Sequence, residues 1–316
     1  MAVKIKYSRK EVIKVNVWIL LLAIGLLFFS ILVIGLLIAR RTINKLAEDL
    51  NYARHTFVVW FITPIFRLYF WLLEFLGKLR VNVSGPIPWN EKRLVFVGNH
   101  PMPKLQDTFL IPILIFYLQS KHYLNPIRYF PVTTADEANF GKSPFFAILG
   151  KTYIVAVDRR LIRMKGKNSR TLEEIKKRSE ECGGGLSIFF PEGGRTASAR
   201  KHNKGLRESL EGNKLAIPLE RGAAKLSFDT NSPVVLFWSS ISGDDPPAKP
   251  NPLTVLQGLA ELLLNPRTKL IVDIGHPDGP LRPKAEQTLK EFNQEIGDAL
   301  LELGDYQTKR FRRGKK

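Results

Sequence analysis

Between Val17 and Ala39 the chain reads VWILLLAIGLLFFSILVIGLLIA, 23 residues without a charge. A helix of that length, rising about 1.5 Å per residue, covers a hydrocarbon core of roughly 30 Å. Few other settings accept so long an apolar run, and the segment reads as a membrane helix. A cleaved leader would carry a shorter apolar stretch and a small-residue cleavage site, whereas here the basic Ala39-Arg40-Arg41 follows directly. Lys4, Lys6, Arg9, Lys10 and Lys14 before the segment are nearly matched by Arg40, Arg41, Lys45 and Arg54 after it, so charge bias leaves its orientation open.

A second apolar stretch, TFVVWFITPIFRLYFWLLEFLG, runs from Thr56 to Gly77 and contains Pro64, Arg67 and Glu74. Its aromatic rings and embedded charges suit a helix lying in the membrane interface; a second crossing is the alternative. Residues 1–54 are therefore read as an anchor with its transmembrane helix at 17–39, and residues 55–80 as an amphipathic or second membrane-embedded helix.

From about Val81 short β-rich apolar runs alternate with helical stretches, the pattern of an α/β domain over residues 81–303. Strands are expected near Leu94–Val97, Tyr129–Val132, Tyr153–Val157, Leu186–Phe190, Val234–Trp238 and Leu270–Ile274. Helices are expected at Asp107–Ser120, Lys142–Leu149, Thr171–Cys182, Pro218–Ser227, Thr254–Leu264 and Pro283–Leu303. Residues 304–316 end in KRFRRGKK, a basic tail able to meet acidic headgroups. Lysine and arginine number 48 against 29 acids, a formal charge of +19 that favours anionic partners. The single cysteine, Cys182, excludes an intrachain disulfide and a Cys-clustered zinc site.

Three stretches carry residues suited to chemistry. In VFVGNHPMPKLQDTFL, His100 follows a strand and Asp107 opens a helix, so both can face the crevice at the strand ends where open α/β sheets bind ligands. An imidazole beside a carboxylate takes a proton from a hydroxyl, the acid steadying the imidazolium. Each residue also has a plain structural reading, His100 as a satisfied histidine and Asp107 as a helix N-cap. In GKTYIVAVDRR, Arg159 and Arg160 follow a strand and either meet solvent or help neutralise a phosphate. In FFPEGGRT, Gly193 and Gly194 let the backbone approach a ligand while Arg195 supplies a forked donor for an anion. Glu192 braces that turn or Arg195, and Thr196 caps or donates. DIGHPDG holds Asp273, His276 and Asp278 at tight spacing, but a strand running into a Gly-Pro turn explains them better than a metal.

In their order, NHPMPKLQD, VAVDRR, FPEGGRT and RGAAKLSFDTNSPVVLFW resemble the four blocks of the glycerolipid acyltransferase family, which includes the lysophosphatidic acid and glycerol-3-phosphate acyltransferases. The resemblance covers roughly Val81 to Pro277. It implies a central mixed β-sheet flanked by helices, with His100 as general base and Asp107 as its orienting carboxylate. Arg159, Glu192, Gly193, Gly194, Arg195 and Thr196 would serve substrate binding, and Arg221, Gly222 and Pro233 fall in the block that lines the acyl pocket. This sequence departs by a longer spacing between His100 and Asp107, filled by PMPKLQ, whose prolines stiffen the loop. Either that insertion bulges outward and the pair survives, or Asp107 is displaced.

The expectation is an O-acyltransferase moving a fatty acyl group from acyl-CoA or acyl-carrier protein to a lysophospholipid hydroxyl, most directly 1-acylglycerol 3-phosphate. It needs no metal or other cofactor. Glycerol 3-phosphate, another lysophospholipid or a glycolipid are alternative acceptors. Expected partners are membrane lipids and anionic headgroups, with the catalytic domain on the cytoplasmic side of an integral or monotopic membrane protein. No nucleic acid is expected, since the cation-rich DRRLIRMKGKNSR lacks interleaved aromatics for base stacking. A membrane-tethered basic binding protein is the rival outside enzymology.

Overall fold

The computed structural model describes residues 63–100, 111, 114–115, 117–118, 132–136, 154–157, 168–181, 185–192, 205–242 and 252–313. They belong to one compact unit, Arg54–Lys316. The expected membrane helix at 17–39 and the expected helix at Lys142–Leu149 lie outside the described residues. Among those described, no helix is long and apolar enough to cross a membrane.

The architecture is α/β, a seven-stranded mixed sheet flanked by helices. Its strands are β1 (Leu79–Val83), β2 (Leu94–Gly98), β3 (Val132–Asp136), β4 (Ile154–Val157), β5 (Leu186–Phe189), β8 (Val234–Ser242) and β9 (Lys269–Ile274), in the order β1-β9-β8-β2-β5-β3-β4. A separate antiparallel hairpin joins β6 (Gly205–Glu208) to β7 (Lys214–Ile217). All neighbouring pairs in the large sheet are parallel except β8 and β9. β2, LVFVG, has all five residues buried, the unbroken apolar run of a strand covered on both faces.

Strand alternation divides the interior into two layers. Val95 and Val97 of β2 join Val234, Leu236 and Trp238 of β8 in a core closed by α2 (Asn168–Glu181), α3 (Gly222–Thr230) and α5 (Leu289–Arg313). α2 is polar apart from Leu172 and Ile175, which with the buried Ser179 form the face it turns inward. α3 buries Ala223, Ala224 and Ser227, small residues that let it lie close over β2, and it ends at Asn231 in the left-handed region. Leu94 and Phe96 point the other way and are equally buried. Right-handed crossovers assign that second face to the β2-to-β3 connection, whose described residues Ile111, Leu114, Ile115, Tyr117 and Leu118 are helical and buried. With them packs α1 (Thr63–Phe75), through Phe66, Phe70 and Leu73; the Phe70 and Tyr117 rings are 5.6 Å apart.

α4 (Pro252–Leu264) lies beside α1, whose Tyr69 hydroxyl donates to Leu259 O at 2.9 Å. Lys78, buried just before β1, donates to the carbonyls of Asn265 and Thr268 where α4 gives way to β9. A cation is favourable against the Asn265 carbonyl at the C-terminal end of α4. Burial, with Lys269 nearby as a smaller cause, pulls its ammonium below the usual lysine range.

Several element boundaries differ from the sequence reading. β3 begins where the expected Tyr129–Val132 strand was to end, and β8 runs on to Ser242 because β9 pairs along its outer half. α5 starts at Leu289 rather than Pro283 and continues to Arg313, through what read as a basic tail. Its polar residues there are paired inward: Asp305 with Asn213 at 2.7 Å, Gln307 with Ser240 at 2.7 Å, and Arg310 with the fully buried Asp273 at 2.7 Å.

Candidate active site

β2 and its parallel neighbour β5 end together, beside β8, which runs on past them, and His100 stands there two residues beyond β2. The loop that begins at Asn99 is tied down immediately. Asn99 Nδ2 donates to Ser239 O at 2.9 Å and Ser239 N donates to Asn99 Oδ1 at 2.8 Å, so a side-chain amide continues the ladder after β2 stops. Gly98 precedes it because a Cβ there would lie 2.0 Å from the Phe237 ring.

His100 N donates to Glu192 Oε1 at 2.8 Å, and Ala216 N donates to Glu192 Oε2, also at 2.8 Å. The Glu192 carboxylate is completely buried. It thus joins the tip of β2, the exit of β5 and strand β7 through charge-assisted hydrogen bonds. Glu220 N adds a bond to Pro191 O, securing the same exit to the approach of α3. The His100 and Phe190 rings lie 5.0 Å apart, and Phe190 meets Phe237 edge-on at 5.8 Å. His100 is itself buried.

Of the candidate residues, the structure brings His100 and Glu192 together. Glu192 acts there as a brace, with both oxygens on main-chain donors. Asp107, Arg159, Gly193, Gly194, Arg195 and Thr196 lie outside the described residues. β4 ends two residues before Arg159, and its pairing through β3 to β5 is parallel throughout, so its last described residue is at the His100 edge. Arg221 is the N-cap position just before α3, and Pro233 leads into β8, its carbonyl accepting from Val95 N at 3.0 Å.

Sequence reasoning passed over Asn99 and Ser239. The signal for Asn99 was its position between an apolar run and a histidine, but its partner is 140 residues away and only the fold reveals it. The Asp273, His276 and Asp278 cluster is otherwise employed: Asp273 holds Arg310 and Ser84, while His276 Nδ1 accepts from Asp278 N at 3.3 Å. Among the described residues no group of three or more His, Cys, Asp or Glu is arranged to hold a metal ion. No family model matches the chain, and no curated protein matches it.

Proposed function

We propose that this chain is a membrane-bound O-acyltransferase that carries a fatty acyl group from an acyl thioester to a lysophospholipid hydroxyl, with 1-acylglycerol 3-phosphate as acceptor and phosphatidic acid as product. The observation that carries this reading is the hydrogen bond between His100 N and Glu192, which joins a histidine at a strand tip to the residue that opens Gly193-Gly194-Arg195. A proton acceptor and an anion-binding turn are what transfer to a phosphate-bearing alcohol requires. The order of the four sequence blocks supports it further.

In the reaction, His100 takes the proton of the acceptor hydroxyl as its oxygen attacks the thioester carbonyl. Collapse of the tetrahedral intermediate breaks the C–S bond, and the proton held on the imidazole passes to the departing thiolate. Asp107 steadies the imidazolium, while Arg195, Arg159 and the backbone N–H groups of the glycine turn hold the acceptor phosphate. General-base assistance contributes about 10² to 10⁴ in rate, and fixing both substrates contributes more. The donor is acyl-CoA or acyl-carrier protein, and no covalent acyl-enzyme is invoked because the chain has no GxSxG turn. With Val17–Ala39 in the bilayer and the catalytic unit on the cytoplasmic side, acceptor and product stay in the membrane.

The test is acceptor profiling in membranes containing the full chain with a radiolabelled acyl thioester. Label should enter phosphatidic acid when 1-acylglycerol 3-phosphate is supplied. Transfer to glycerol 3-phosphate, another lysophospholipid or a glycolipid instead would change the acceptor; no transfer to any of them would remove the enzymatic reading.

A further inference from the structure

A parallel ladder repeats every second residue, and β2 keeps to it as far as Gly98. Val95 pairs with Val234 and its N–H donates to Pro233 O, so the odd-numbered residues of β2 turn their main-chain groups to β8. Carried past Gly98, that register would match Asn99 O to Ser239 N and the N–H of residue 101 to Ser239 O. Residue 101 is a proline and has no N–H. Ser239 is fully buried, so an unmatched carbonyl there would have no water to turn to. The Asn99 side chain fills both positions, Oδ1 accepting from Ser239 N and Nδ2 donating to Ser239 O.

The other side of the strand tip ends in the same manner. Leu94 N donates to Gly185 O, which places the even-numbered residues of β2 against β5. There the continued register would match His100 N to Pro191 O. Pro191 O instead accepts from Glu220 N, and His100 N is taken by the Glu192 carboxylate. The stretch of β8 that Asn99 grips is itself held from α5, where Gln307 donates to Trp238 O at 3.2 Å and accepts from Ser240 Oγ at 2.7 Å. With a side chain in the ladder, the main chain of Asn99 is free to leave the sheet, and the next residue is His100.

We propose that Asn99 is a positioning residue for His100: its amide completes the β8 ladder, turns the chain out of the sheet and fixes the direction in which the imidazole leaves the strand tip. The ladder substitution stands on the fold alone, whereas its consequence for turnover rests on the proposed acyl transfer. Few side chains could replace it. An ionised aspartate has no donor for Ser239 O, a glutamine is one methylene too long, and an alanine leaves both Ser239 groups unmatched. Without the amide, the residue 99 carbonyl is the nearest group able to satisfy Ser239 N, and taking that place would draw His100 back towards the sheet.

The experiment compares the full chain in membranes with Asn99→Ala, Asn99→Asp and Ser239→Ala at one pH. Deuterium exchange at the imidazole C2 position of each histidine is followed by mass spectrometry, beside steady-state transfer to 1-acylglycerol 3-phosphate. Asn99→Ala should speed exchange at His100 severalfold while His276, also buried and beyond β9, keeps its parental rate. It should also lower kcat by about 10- to 100-fold with acceptor KM within about twofold of the parent. Ser239→Ala removes only the 3.2 Å hydroxyl contact to Asn99 and should move His100 exchange far less. If the alanine variant does not accumulate, Asn99→Asp, of the same shape but without the donor, carries the test with the same direction of change. Parental exchange at His100 in the Asn99 variants would overturn the proposal, and so would an equal rise at His276 or raised exchange with parental kcat. A parent chain that transfers no acyl group would remove the enzymatic reading, while the exchange rates would still decide whether Asn99 holds His100.

Discussion

Glu192 shows how a charge becomes architecture. A carboxylate without solvent contact is costly unless its oxygens are satisfied, and the amides of His100 and Ala216 are among its partners. Substituting Glu192→Gln turns one oxygen into an NH₂ group that faces an N–H donor, leaving a buried amide unsatisfied. The variant should lose about 2 kcal/mol of stability, read as a lower urea midpoint at unchanged slope. A wild-type midpoint would mean the brace is dispensable. His100 and Glu192 were both singled out in the sequence, each because an apolar strand runs directly into it. The bond between them was not legible, since 92 residues separate the partners and only strand adjacency brings them together.

At the scale of elements, α5 separates what local signals decide from what packing decides. Pro283 invited an early start, but the helix is opened by Thr288 and Glu291, a reciprocal capping box within the stretch TLKE. The Thr288 N–H and hydroxyl hold the Glu291 carboxyl below its ordinary range. A depressed folded value means the stabilisation is complete above the unfolded titration and is lost as pH falls through the folded one. Glu291→Gln should therefore melt at a lower temperature than the parent at neutral pH, with the gap closing at about pH 3 and below. A gap independent of pH would show that the carboxylate charge has no part in the cap. The far end of α5 was hidden because Asp305, Gln307 and Arg310 read as surface residues until partners on β8, β9 and the hairpin are known. β6 and β7 escaped notice for a related reason. They are four residues each with charged ends, and α5 is their support, through Arg207 to Asp298 and Asn213 to Asp305.

For the whole molecule, the alternation of β-rich and helical segments carried the α/β class, and six of the seven sheet strands fell at or beside their expected positions. β1 was missed although Leu79, Val81 and Val83 alternate with Arg80 and Asn82, because it adjoins an apolar segment assigned to the membrane. Strand order was beyond local pattern, yet it has the larger consequence: β5 and β2 are parallel neighbours, and so the strand tips carrying His100 and Glu192 meet. The central claim, that His100 is the base and Arg195 the phosphate holder of one acyl transfer, is tested most directly by steady-state kinetics. Transfer to 1-acylglycerol 3-phosphate is followed against acceptor concentration for the parent chain, His100→Ala and Arg195→Ala, in matched membranes. The account predicts that His100→Ala lowers kcat by about 10² or more, while Arg195→Ala chiefly raises KM for the acceptor. Parental kcat in His100→Ala would contradict it.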